Sequence, residues 1–150
     1  MRFSTFLISK HMELIDLQKG FDLINKNCFG GSLPLPALSY NKRCFRTFGR
    51  CYIYRRKIEI MTCQKRGGRD AFSYLNTLAH EICHYWLNIH GCKDSGHEAK
   101  FHAIAKYLNG FGFKIYNKLY YDAEVNSGEN ICGTWFFDGV HLYNNGVIYR

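Results

Sequence analysis

"TLAHEICHYW", residues 77–86, sets His80 and His84 four positions apart with Glu81 between them. On an α-helix, residues four apart differ in direction by only about 40°, so both imidazoles leave one face and can take two corners of a tetrahedral metal site. Glu81 beside them is placed to take a proton from a water that the metal activates. Helices also carry histidines at this spacing by accident. The reading therefore turns on whether the rest of the chain supplies a third ligand while leaving a fourth position open.

Three later histidines compete for that role: His90, His97 and His102. His90 lies six residues after His84, where metzincins place their third ligand, but in those proteins a glycine midway ends the helix. Here the midpoint is Leu87, and a helix that continues carries His90 about 240° around from His84. A methionine turn is also required downstream, and the methionines of this chain are 1, 12 and 61. His97 opens a third helix after a loop bracketed by Gly91 and Gly96, which allow the chain to reverse toward the metal. His102 is about 140° around that helix from His97, so the two cannot ligate together. Spacing favours His97 and leaves His90 and His102 to packing. Cys83 points about 60° away from His80 and reads as a small buried residue, and Tyr85 and Trp86 read as packing, with one able to line a cleft.

The remainder of the chain has to house this helix. With 150 residues, 47% hydrophobic and 21% charged, the sequence fits one soluble globular domain. No apolar run is long enough to cross a bilayer, and "MRFSTFLISKHMEL" lacks the cleavage site of a signal peptide. Seven cysteines, an odd number with no CxxC pair, read as free thiols in a reducing compartment and argue against a zinc ribbon. The expectation is a cytoplasmic monomer (nuclear in a eukaryote), not secreted and without a membrane partner. Apolar periodicity predicts a helix over 11–27, through Leu14, Leu17, Phe21 and Ile24, which "CFGGSLPLP" ends. "ALSYNK", "TFGRCYIYRR" and "KIEIMT" predict an antiparallel meander. Helices over 70–88 and 97–108 follow, and Asn-Asn-Gly between "HLY" and "VIY" predicts a terminal hairpin. The fold class is α+β: one zincin-like domain with an N-terminal helix, a small antiparallel sheet, two helices carrying the metal site and a C-terminal hairpin.

Charge is concentrated. The net charge is +8, yet Lys42, Arg43, Arg46, Arg50, Arg55, Arg56, Lys57, Lys65, Arg66 and Arg69 face one acid, Glu59, so residues 42–69 alone carry +9. Such an excess attracts a phosphate backbone, and aromatics among the cations (Tyr40, Phe45, Phe48, Tyr52, Tyr54) can stack on unpaired bases where exposed. The bland reading is a solvated face over an aromatic core.

"FDLINKNCFGGSLP", "NKR", "TFGRC", "IEI", "LNTLAHEICHYW" and "SGHEAKFH" stand in the order and spacing of the SprT-like zinc metalloprotease family, which includes Spartan, a protease for DNA–protein crosslinks. The chain resembles that family from about residue 13 to 113. The resemblance implies one Zn2+ held by His80, His84 and His97, Glu81 as catalytic base, and protein substrates that are bound or crosslinked to DNA, with single-stranded character in the DNA. Family members often carry a further zinc ribbon or zinc-binding subdomain; the tail here has one cysteine, Cys132, and is aromatic (Tyr116, Tyr120, Tyr121, Trp135, Phe136, Phe137, Tyr143). A tail of this kind, 114–150, is expected to pack on the domain, and its tyrosines are candidates for stabilising an oxyanion. Two other classes stay open: a DNA-binding module whose zinc is structural, and a metalloprotease with no nucleic-acid role.

Overall fold

Asp16 starts the first helix by accepting a hydrogen bond from the Lys19 amide at 3.0 Å, and α1 runs Leu17–Phe29. The computed structural model describes residues 14–43, 46–62, 70–93, 96–115 and 134–150. Residues 11–13 of the expected first helix lie outside these, and Leu14–Asp16 are not helical. A short polar side chain that can satisfy an orphan amide fixes a helix start more firmly than apolar periodicity does. Leu17, Phe21 and Ile24 are buried, as their spacing implied. The Asn25 side chain bonds the backbone of Leu33 in both directions, at 2.9 and 3.0 Å, and so holds the Gly-Gly-Ser-Leu-Pro turn against the helix.

The α+β class stands, but the first sheet is mixed and not an antiparallel meander. Its strands are β1 (Ala37–Asn41), β2 (Gly49–Tyr52) and β3 (Lys57–Met61), in the order β1-β3-β2. β3 pairs parallel with β1 and antiparallel with β2. Burial explains the order. Ile58 and Ile60 are fully buried and Met61 nearly so, and a strand covered on both faces belongs in the centre. β1 and β2 carry more polar residues and take the edges. The residues after β1 therefore pass the end of β3, where Phe48 and Asn41 carbonyls accept from the Met61 and Thr62 amides.

α2 (Ala71–Ile89) is capped by Asp70, which accepts from the Ser73 amide at 2.7 Å. Its buried residues include Leu75, Leu78, Ala79, Ile82 and Trp86, and it touches both the sheet and the other two helices. Gly49 lets β2 reach it. A Cβ built there would sit 2.9 Å from Thr77 Cγ2 and 3.1 Å from the Glu81 Cγ and Oε2 atoms. α3 (Ala99–Asn109) packs beside α2, and Asn109 and Asn76 bond the backbone of Ile115 and Lys114 to hold the chain after it.

The terminal hairpin forms as expected and gains a strand. β4 (Trp135–Phe137), β5 (Leu142–Asn144) and β6 (Val147–Ile148) make an antiparallel sheet. Asn145 and Gly146 have φ of 53° and 77°, the paired positive values of a two-residue hairpin turn. The sheet packs its Phe137 ring against Trp86 at 4.9 Å, and Arg150 donates to the His90 carbonyl, where a cation suits the C-terminal end of a helix. Among the described residues no helix is long and apolar enough to cross a membrane.

Gly49→Ala tests the contact between strand and helix. Overpacking of this kind costs about 1–3 kcal/mol, so the urea midpoint should fall; an unchanged midpoint would show that β2 does not approach α2 this closely.

Candidate metal centre

α2 presents His80 and His84 on one face, as four-residue spacing requires. His97 meets them from the opposite side. Its Nε2 lies 3.0 Å from His80 Nε2 and 3.3 Å from His84 Nε2. Three converging ring nitrogens cannot satisfy one another, because a neutral imidazole carries one N–H and each close pair can share only one proton. A tetrahedral ion with Zn–N bonds of about 2.0–2.1 Å would separate its ligand atoms by about 3.3 Å. All three ligand atoms lie within 4.8 Å of one another, so the group can hold a metal ion. Burial, then the neighbouring His84 and His97, push the His80 pKa down to about 3. His80 is thus neutral at ordinary pH, the form that ligates. The Phe101 ring stands 4.5–5.0 Å from all three imidazole centroids and forms an apolar wall.

His97 reaches this position differently from the sequence expectation. It precedes α3, whose cap is Glu98 and whose first residue is Ala99, so it lies just outside the helix and not in its first turn. The reversal uses Gly91 and Gly96, with φ of 69° and 112°. The other histidines are occupied elsewhere. His90 stacks on Trp86 at 3.8 Å, and its Nδ1 lies 2.8 Å from the Trp86 carbonyl. His102 is buried in α3. Cys83 is fully buried with its thiol toward the Ala79 carbonyl, and Tyr85 donates to the Pro34 carbonyl at 2.6 Å.

Glu81 is 5% exposed and lies under Gly49 of β2. Two contributors to the site escaped sequence reasoning. Gly49 admits the strand above Glu81, and the only signal was a lone glycine inside an aromatic strand. Phe101 sits four residues after His97, and that spacing could have marked it as facing the same cluster.

The cations divide. Lys42, Arg43, Arg46, Arg50, Arg55 and Arg56 are exposed, whereas Lys57 is half-buried, paired with Glu59 at 3.8 Å and 5.1 Å from the Tyr52 ring centroid. Lys65, Arg66 and Arg69 lie outside the described residues. Lys42 and Arg43 follow β1, Arg46 precedes β2, Arg50 lies within it, and Arg55 and Arg56 occupy the turn beyond it. Arg56 has φ of 45°. Of the aromatics proposed for stacking, Tyr54 and Phe48 are exposed, Tyr40 is bonded to the Ile15 backbone, Tyr52 donates to Glu59, and Phe45 lies outside the described residues. In the tail, Tyr143 donates to Asp138, while Tyr116, Tyr120 and Tyr121 lie outside the described residues.

Residues 17–121, more than half of the chain, match the SprT-like family. The chain belongs to the SprT-like family. No curated protein matches it. Membership marks the domain as metalloprotease-like, and the three-histidine cluster is compatible with zinc.

His97→Ala should remove stoichiometric metal as measured by plasma mass spectrometry. His90→Ala should lower the melting temperature yet keep the metal, and His102→Gln should keep it too. Metal loss on His90→Ala with His97→Ala still loaded would move the third ligand to His90.

Proposed function

We propose that this SprT-like domain is a zinc-dependent endopeptidase in which His80, His84 and His97 hold the ion and Glu81 is the general base. The observation that carries this reading is the convergence of three histidine Nε2 atoms at the helix that also holds the buried Glu81 carboxylate. Zinc held by three protein ligands keeps an open position, where it acidifies water and polarises a carbonyl. Glu81 takes the proton of the attacking water and delivers it to the leaving amine. Burial beneath β2 keeps its carboxylate away from bulk solvent. β2 packs directly over Glu81, so its backbone runs beside the site.

The substrate class we infer is protein bound or crosslinked to DNA. Six exposed cations, Lys42 and Arg43 just after β1 and Arg46, Arg50, Arg55 and Arg56 before, within and after β2, with exposed Tyr54 and Phe48 among them, support contact with a phosphate backbone and unpaired bases. DNA would then deliver varied proteins to one unselective cleft.

Glu81→Gln should retain metal and fold and lose proteolysis by at least a hundredfold, since an amide cannot accept the proton at neutral pH. Near-normal cleavage by that variant would exclude Glu81 as the base. Metal retention with no cleavage by the parent protein on any DNA would instead favour a structural ion.

For the nucleic-acid contact, Lys42, Arg43 and Arg55 are best changed together to Glu, because Lys57 is committed to Glu59 and Arg56 has a left-handed backbone. The triple variant should bind single-stranded DNA at least tenfold more weakly in a fluorescence-anisotropy titration. Its salt dependence should be shallower and its metal content unchanged. Parent protein that binds no DNA at low salt would leave a protease without a nucleic-acid role.

A further inference from the structure

The face of α3 turned away from the histidines carries a second site. Ala103 lies about 200° around the helix from Phe101, the ring that walls the metal centre. There Ala103, Lys106 and Tyr107 face Trp135, Phe137 and Asp138 across a pocket of about 420 Å³. That volume lies within the range of ligand-binding cavities. Its walls are fixed. Tyr107 donates to the Cys28 carbonyl at 2.5 Å and packs edge-on against Phe137 at 5.1 Å. Trp135 packs edge-on against Tyr149 at 5.0 Å, and the Lys100 ammonium sits over both rings at 5.7 and 5.4 Å. The small side chain of Ala103 keeps the floor open between these rings.

Two charges stand at the rim, and they differ in availability. Asp138 accepts from the Val140 and His141 amides and from the Tyr143 hydroxyl. Partial burial would raise its pKa, but these hydrogen bonds outweigh that effect and hold it below the usual carboxylate value. Three of its four lone-pair sites are engaged within the chain. Lys106 is exposed and makes no ion pair among the described residues. With Lys100 held over the Trp135 and Tyr149 rings, Lys106 is the one cation that lines the pocket, and beside the Asp138 carboxylate it suits a polyanionic backbone poorly. It suits a ligand that brings one carboxylate next to a large apolar group.

We propose that this pocket docks a protein segment carrying an aromatic side chain next to an acidic residue, the ring entering between Trp135 and Tyr107 over Ala103 and the carboxylate meeting Lys106. The site is independent of the hydrolytic reading, since none of its residues contacts the histidine cluster. It gives the domain a second hold on protein partners, on the reverse side of α3.

The dipeptide N-acetyl-Glu-Trp-amide is a minimal probe, titrated into the zinc-loaded protein with the indole N–H resonances followed by NMR. The chain has two tryptophans, so Trp86 serves as an internal reference for Trp135. Saturable shifts at Trp135 with little change at Trp86 are expected, with at least fivefold weaker binding of N-acetyl-Lys-Trp-amide and N-acetyl-Glu-Ala-amide. Lys106→Glu, an exposed position, should reverse the preference between the Glu and Lys probes. Ala103→Leu should abolish binding while metal content stays constant. Equal affinity for the Glu and Lys probes would overturn the proposal. Tighter binding of an oligothymidylate at Trp135 would overturn it in favour of nucleic acid. Nuclear Overhauser contacts from Trp135 to residues 116–133 in the free protein would overturn it by showing that the chain fills its own pocket.

Discussion

The convergence of three imidazoles on one point is the constraint on which the rest of the molecule depends. Two come from one helix and pose no geometric difficulty. The third must return from a separate segment and stop within 3.0–3.3 Å of the others. That demands a reversal after α2, a helix α3 held at fixed distance, and a shield of apolar surface beside the rings. Gly91 and Gly96 give the reversal, the α2–α3 contact gives the distance, and Phe101 gives the shield. Much of the remaining chain serves to hold α2 still. α1 packs on one side, the mixed sheet on another, and the C-terminal sheet clamps its end through Phe137, Trp86 and Arg150.

The same helix explains how Glu81 can be buried next to the histidine cluster. A strand with ordinary side chains could not come within contact distance of a carboxylate on α2. Gly49 removes the obstacle, and the edge position of β2 leaves a backbone row beside the site. The fold thus brings together three histidines that can hold a metal, a buried carboxylate and an edge strand, by packing one strand on one helix. Gly49 in β2 faces Glu81 while exposed arginines lie before, within and after the strand, and Glu59 pairs with Lys57.

How much of this was legible in the sequence follows from the range of each interaction. His80, His84 and the helix carrying them depend on local periodicity, and they stand where spacing put them. Choosing His97 over His90 needed one further local fact, Leu87 where a helix break would be required, and the ring of His90 is indeed stacked on Trp86. Position within the third helix was misjudged because Glu98, not His97, takes the cap. Strand order was misread because consecutive strands suggest a meander, whereas the burial of Ile58, Ile60 and Met61 is a tertiary property. The roles of Gly49, Phe101 and the asparagine clamps at Asn25, Asn76 and Asn109 involve partners that spacing does not reveal. β4 went unread because "WFF" is too short to show a period.

Anomalous diffraction at the zinc absorption edge, from crystals of the protein loaded with one equivalent of zinc, tests the central claim most directly. The account expects a single peak equidistant from the Nε2 atoms of His80, His84 and His97. It also expects a fourth position filled by a solvent oxygen within hydrogen-bond reach of Glu81. A peak elsewhere in the molecule, or a fourth ligand donated by the protein itself, would contradict it.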